Sequence, residues 1–313
     1  MIKQKTFMNP ISCMGIALHS GNKVSMTLKP GKPDSGIVFK RTDISASSAL
    51  IKATWENVVE TTLCTTLGND DGVTISTVEH LMAALSASRI DNAVIEVNGP
   101  EVPVMDGSAA PFIFLVECAG TVEQKKPRRY IRVLKAISIG DDEKSVSIVP
   151  SNDFKVDFDI DFESAAVSRQ SFSICMAGEN FKNEVSRART FGFLHEVEAL
   201  RAAGLAKGGS LENAVVVSGD KVINEGGLRY DDEFVRHKVL DAVGDLYLAG
   251  GGLLGHFHGV CSGHEANNQL LRALFADKDA WCYDEMTINK AVVSKPHRVW
   301  PVDVAGSEIA ATA

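Results

Sequence analysis

The chain has 313 residues, 45% hydrophobic and 23% charged, which fits two domains of an ordinary soluble protein with a core that needs no staples. Thirty-two basic against forty acidic residues give a net charge of −8, which argues against a general nucleic-acid binder but not against a small anionic substrate held by local Lys and Arg. No apolar run approaches the ~18–20 residues of a membrane span. The opening segment is broken by Asn9, Pro10, Ser12 and Gly15, unlike a signal peptide. The six cysteines, at 13, 64, 118, 175, 261 and 282, contain no CxxC and predict free thiols in a reducing cytoplasm.

In chain order, Lys23–Leu28 and Gly36–Arg41 alternate polar with apolar residues and read as half-buried strands, with Gly31, Pro33 and Asp34 as the turn between them. In STVEHLMAALSASRI the apolar residues Val78, Leu81, Met82 and Leu85 recur at helical spacing, and Asn92–Val97 then reads as a buried strand. Ala109–Gly120 is predicted helical, with Pro111 in its first turn and Gly120 at its end. The charged stretch Glu123–Arg129 has the composition of a linker and divides the chain into 1–126 and 127–313. Beyond it, strands are expected at Tyr130–Ile139, Ser145–Val149 and Phe154–Phe162. Helices are expected at Phe191–Ala203 and Asp232–Leu248, then a strand in Gly250–Phe257 and a helix over Asn267–Ala276. Pro301–Ala313 is small and polar and is expected to fray. Val78-Glu79-His80 and Val235-Arg236-His237 each precede a helix and a strand, which suggests a duplicated α+β unit.

The second of these helices carries the strongest chemical signal. At about 100° per residue, Val235, Val239, Ala242, Val243 and Leu246 form its core face, while His237, Asp241 and Asp245 form one stripe on the other side. The plain reading of such a stripe is a solvated polar face. However, Phe234 and Leu248 fall on it too, and a polar stripe bounded by large apolar residues is better explained as walled in. A buried carboxylate needs a partner or a metal. His237 and Asp241, one turn apart, can reach one ion, and nitrogen plus carboxylate ligation suits Zn²⁺, with Fe²⁺ also possible. In the first helix, Ser76-Thr77-Val78-Glu79 fits a capping box. Alternatively, Glu79 and His80 both face a cleft, with His80 a third ligand and Glu79 a base beside the metal. His264, in Ser262-Gly263-His264, reads either as an inert loop residue or as an imidazole held protonated by Asp245.

Taken together, Gly15–Gly21, STVEHLMAAL, MDGSAAPF at 105–112, SRARTFGF at 186–193, GLRYDDEFVRHKVLDAVGDL at 227–246 and SGHEANN at 262–268 resemble the UDP-3-O-acyl-N-acetylglucosamine deacetylase family. These are the zinc amidases of lipid A biosynthesis in Gram-negative bacteria. The resemblance implies an α+β fold of two similar domains, each a small sheet layered with helices, with the site between them. It implies His80, His237 and Asp241 as zinc ligands, Glu79 as general base, His264 as general acid, Asp245 as its orienting carboxylate and Thr190 as an oxyanion donor. It places Lys238 and Asp106 against the substrate. Leu18, Phe191, Leu194, Val197, Gly209 and Ser210 fall along an apolar acyl passage, joined here by Ala206 and Val216. The substrate class it implies is an acylated UDP-sugar, and it implies no nucleic-acid partner and no integral membrane segment. Cys261 departs from the family pattern, which has Lys or Arg there, near the nucleotide phosphates. The same residues also fit a zinc amidohydrolase for another N-acyl substrate, or a non-catalytic sugar-nucleotide binder; a retained Glu79 counts against the latter.

Overall fold

A computed structural model describes residues 1–45 and 48–285; the expected fraying of Pro301–Ala313 lies outside the described residues. The alternation in Lys23–Pro30 turns Val24, Met26 and Leu28 inward, and this strand pairs antiparallel with Ile11–Ile16 on one side and Ala93–Val97 on the other. Ala93–Val97 also runs parallel to Ile37–Arg41, which pairs with Leu50–Lys52 at the sheet edge. The strand that follows helix α1 (Glu79–Ala87) therefore enters the middle of a five-stranded sheet. Helix α2 (Ala110–Ala119) follows, with proline in its first turn and Gly120 at φ 68 ending it.

The second half repeats this plan. Ile137–Gly140, Ser145–Val149, Phe154–Asp161 and Arg169–Cys175 come in chain order. After the short helix α3 (Asn180–Glu184), helix α4 (Leu194–Ala202) and helix α5 (Glu233–Tyr247), the strand Gly252–Val260 again enters the middle. It is antiparallel to Ser145–Val149 and parallel to Phe154–Asp161, as its counterpart is in the first half. Helix α6 (His264–Ala276) then takes the place of α2. The weak echo around the two histidines is thus a repeat of topology, and the two equivalent helices, α1 and α5, pack against each other. No helix among the described residues is long and apolar enough to cross a membrane.

Four local expectations are corrected. Glu123–Arg129 is not an open linker: Thr121–Pro127 pairs antiparallel with Lys3–Phe7, and Arg128 is buried with its guanidinium 3.0 Å from Asp91. Its charges found partners, which composition alone does not show. Tyr130–Ile139 is two strands, because Tyr130–Val133 pairs with Gly252–Leu254 and Trp281–Asp284 while Ile137–Gly140 pairs with Ser145–Ile148. Phe191–Phe193 is a strand parallel to Val215–Val217, so the predicted helix starts only at Leu194. Finally, α6 begins three residues before the expected Asn267, so His264 is its first residue and not part of a loop.

Gly244 fixes the approach of the two central helices. A Cβ there would stand 2.0 Å from the carbonyl oxygen of Glu79. Glycine is costly inside a helix, by about 1 kcal/mol relative to alanine. Its presence in α5 is explained by this contact. Gly244→Ala is expected to force α1 and α5 apart and to cost at least about 1–3 kcal/mol, as overpacking does. A lower urea midpoint with an unchanged slope would register that loss; an unchanged midpoint would show that the crossing has slack.

Candidate active site

The first turn of α1 carries Glu79 and His80, and both are buried. No side chain caps this helix: Ser76 binds the Thr66 hydroxyl instead, and Glu79 Oε2 accepts the backbone N–H of Thr65 at 3.0 Å. The capping-box reading is therefore not what the structure contains. Thr77, buried at φ 59, turns the chain just before the helix. Such a conformation costs a threonine of order 1–3 kcal/mol and persists only where its surroundings enforce it.

Across the contact, α5 presents His237, Asp241 and Asp245, all buried. The stripe is walled in, by Phe234 and Leu248 among others, and is not a solvated face. His80, His237 and Asp241 bring one ligand atom each to within 4.8 Å of one another. Asp241 Oδ1 lies 3.4 Å from His237 Nε2 and 3.6 Å from His80 Nε2, and it has no hydrogen-bond partner although buried. An orphaned buried carboxylate oxygen is costly and calls for an explanation. These separations are long for hydrogen bonds, but close to the about 3.3 Å edge of a tetrahedron built on metal–ligand bonds of about 2.0–2.1 Å. His237 Nδ1 faces the Ala188 carbonyl at 3.1 Å, so the proton belongs on Nδ1 and Nε2 keeps its lone pair.

The charges agree with a cation site. Burial works against the Asp241 anion, but His237 and His80 outweigh it and hold the carboxyl well below the usual range. Burial depresses His237 to about 4, leaving it neutral and able to ligate. For His80, burial disfavours the cation, but the nearby Asp241 carboxylate and the charge of Glu79 prevail and raise it. A bound cation would displace that proton.

Next to this cluster stand two further titrating groups. Burial pushes the Glu79 carboxyl up, opposed by His264 and His80. His264 Nδ1 donates to Asp245 Oδ2 at 2.8 Å. Burial disfavours the His264 cation, yet Asp245, Glu79 and Asp241 together carry it up to about 9. Glu79, His80, His237, Asp241, Lys238, His264, Thr190 and Leu18 all line one cavity of about 230 Å³. A second cavity of about 280 Å³ shares Leu18, Leu63, Thr190 and Phe191 with it, and its walls are mostly apolar. Leu194, Val197, Ala206, Gly209, Ser210 and Val216 all fall on that second wall.

Three sequence-derived residues have other surroundings. Asp106 lines neither cavity; its carboxylate is taken by Arg229 Nη1 at 2.8 Å and by Ser108. Cys261 sits at φ 44 on the turn leading to His264, and Lys238 reaches this turn, its Nζ 3.9 Å from where a Cβ on Gly263 would be. Cys64 is buried, and burial, reinforced by Glu79, pushes its thiol up to about 12, so it packs as a neutral group. Sequence reasoning missed Thr65, Asn267 and the pair Arg189–Glu233. Thr65 Oγ1 donates to Asp245 at 2.6 Å, and Asn267 Nδ2 at 2.9 Å. Glu233, fully buried, binds the guanidinium and the backbone N–H of Arg189, bracing the segment that holds Ala188 and Thr190. No periodicity points to Thr65, which lies in an irregular segment; Asn267 was visible only as part of SGHEANN.

Three buried side-chain atoms close enough to share one ion, a carboxylate beside them on the same cavity, and an imidazole there held by a second carboxylate fit the class of a metal-dependent hydrolase. Relatives agree. The profile of the UDP-3-O-acyl N-acetylglycosamine deacetylase family matches residues 4–276. Proteins named UDP-3-O-acyl-N-acetylglucosamine deacetylase are similar over most of their length. That of Teredinibacter turnerae is 53% identical over 90% of this chain and 93% of its own. That of Shewanella violacea is 51% identical over 90% and 92%, and that of Marinobacter nauticus 48% over 98% and 100%. The chain belongs to the UDP-3-O-acyl-N-acetylglucosamine deacetylase family.

Proposed function

We propose that this enzyme hydrolyses the N-acetyl group of UDP-3-O-(3-hydroxyacyl)-N-acetylglucosamine, giving acetate and UDP-3-O-(3-hydroxyacyl)-glucosamine, a step of lipid A biosynthesis. The observation that carries this reading is the joining of two unlike cavities. One holds Glu79, His264 and the His80–His237–Asp241 cluster, and the other is apolar and suited to an acyl chain. His80, His237 and Asp241 would hold Zn²⁺, with Fe²⁺ the alternative that the same donors admit. A bound ion supplies Lewis acidity toward the acetamide carbonyl and makes water more acidic.

The remaining work falls to the side chains. Glu79 removes a proton from the attacking water, and burial, which raises its affinity for protons, favours that role. The hydroxyl of Thr190, on the cavity wall, donates to the oxygen that gains charge as the carbonyl becomes tetrahedral. His264, protonated, gives its proton to the sugar nitrogen as the C–N bond breaks, so that an amine leaves and not an amide anion. Lys238 is the cation on this wall that reaches the turn carrying Cys261, and it serves the diphosphate there. Leu18, Phe191, Leu194, Val197, Gly209 and Ser210 receive the acyl chain. Asp106 serves the substrate only indirectly, by holding Arg229. We assign the site to the junction of two units, 1–126 and 127–313, on the strength of their common topology, and place the reaction in the cytoplasm, consistent with six free cysteines.

The direct test is release of free amine from the acylated UDP-N-acetylglucosamine. Rapid metal-dependent release is expected; none from purified, metal-replete protein would rule the reading out. The pH profile tests the acid. Because His264 is carried up to about 9, its proton is retained at neutral pH, and kcat/KM should fall only as pH rises toward that value. Asp245→Asn removes the main charge that holds the proton, so the alkaline limb should move to lower pH, toward the ordinary histidine value of about 6.5. An unmoved alkaline limb would remove His264 from the role of acid.

A further inference from the structure

Among the described residues, Thr65 is the one whose hydrogen bonds reach the carboxylates of both the base and the acid's holder. It is 2% exposed and precedes the strand Thr66–Gly68 in the first half of the chain. Its backbone N–H donates to Glu79 Oε2 at 3.0 Å, and its hydroxyl donates to Asp245 Oδ1 at 2.6 Å. Its carbonyl accepts the N–H of Val78, immediately before α1. Glu79 belongs to α1 and Asp245 to α5, so this one residue ties the two central helices together at the site.

We propose that Thr65 is a positioning residue for the deacetylation, setting the direction of the acid's carboxylate relative to the base. The inference rests on the functional reading given above. The geometry supplies the argument. An ionised carboxylate offers lone pairs on two oxygens, and its plane is free to rotate unless both are engaged. Asp245 Oδ2 takes His264 Nδ1 and Asn267 Nδ2 at 2.8 and 2.9 Å. The other oxygen, Oδ1, is engaged by Thr65 alone among the hydrogen bonds described. The Thr65 hydroxyl therefore closes the set and fixes the carboxylate plane, and with it the imidazole of His264. At the same time the Thr65 main chain fixes the Glu79 oxygen. Acid and base are thus referred to one rigid point, which suits two proton transfers made at one reacting centre.

The segment is also held under strain. Leu63, two residues before Thr65, has φ 67, and Thr77, before Glu79, has φ 59. Neither is glycine, and left-handed geometry at two flanking positions indicates that the surroundings dictate this backbone. Thr65 lines neither cavity, so it acts through Asp245 and Glu79 and not on substrate.

Thr65→Val is nearly isosteric and keeps the N–H to Glu79 while removing the hydroxyl. Its kcat should fall about 10–100-fold with KM within about twofold, since the loss is felt in the transition state and not in uniform binding. Thr65→Ser should recover most of kcat, because it restores the donor but not the methyl group. A second readout needs no turnover: the low-field proton resonance of His264 Nδ1 should move or broaden in Thr65→Val and return in Thr65→Ser. Wild-type kcat in Thr65→Val, equal impairment of both variants, a change confined to KM, or an unshifted resonance would each overturn the proposal. A wild-type enzyme that fails to release amine, with the resonance still shifting in Thr65→Val, would instead count against the reaction and leave the positioning geometry standing.

Discussion

His237→Ala is expected to abolish both tight metal binding and activity while the fold survives. Even loss of a group that merely supports a ligand costs about 10–100-fold in metal affinity, so loss of a ligand should exceed that. Of the candidate cluster, His80 and Asp241 would remain. The substitution trims a buried ring that stands edge-on to His80 at 4.9 Å, so some stability is lost as well. Elemental analysis separates the effects: wild-type protein should carry one ion per chain, and the variant far less at the same circular dichroism. Removing the ion from wild-type protein with a chelator should silence it, and Zn²⁺ or Fe²⁺ should restore it. Full activity after verified removal of all metal would end this account of the site.

Glu79→Gln is expected to keep the ion and lose about 10²–10⁴-fold in kcat, the usual contribution of a general base. The amide has nearly the same shape, and its carbonyl oxygen can still accept the N–H of Thr65 that now meets Oε2. What it lacks is affinity for a proton. If Glu79 were only a capping residue, Gln would serve as well. The structure contains no such cap, since Glu79 lies buried on the cavity with its oxygen turned to Thr65. A variant with one ion per chain and a near-normal rate would remove Glu79 from the chemistry.

Much of this site is legible from residue spacing. The stripe His237, Asp241, Asp245 follows from helical geometry, and Phe234 and Leu248 on the same stripe announce that it is buried. The alternation in Lys23–Pro30 and Ser145–Val149 likewise places Val24, Met26, Leu28, Val146 and Ile148 inside. Less legible were segments whose structure depends on a distant partner. Phe191–Phe193 leads directly into the helical run from Leu194, yet it becomes a strand because Val215–Val217 lies alongside. Arg128 reads as a linker charge until Asp91 is seen beside it.

The sequence by itself determined the local periods, the positions of both histidine helices and the resemblance of motifs spread from Gly15 to Asn268, because these depend on neighbours a few residues apart. The tertiary structure decided which helix faces meet. That rests on Gly244 against the Glu79 carbonyl, 165 residues away in the chain, and on Thr65, which reaches Glu79 at 14 residues and Asp245 at 180. Contacts of that separation leave no period in the chain. They exist only once burial of two apolar helix faces has brought α1 and α5 together, and that packing places Glu79 and His80 against His237 and Asp241.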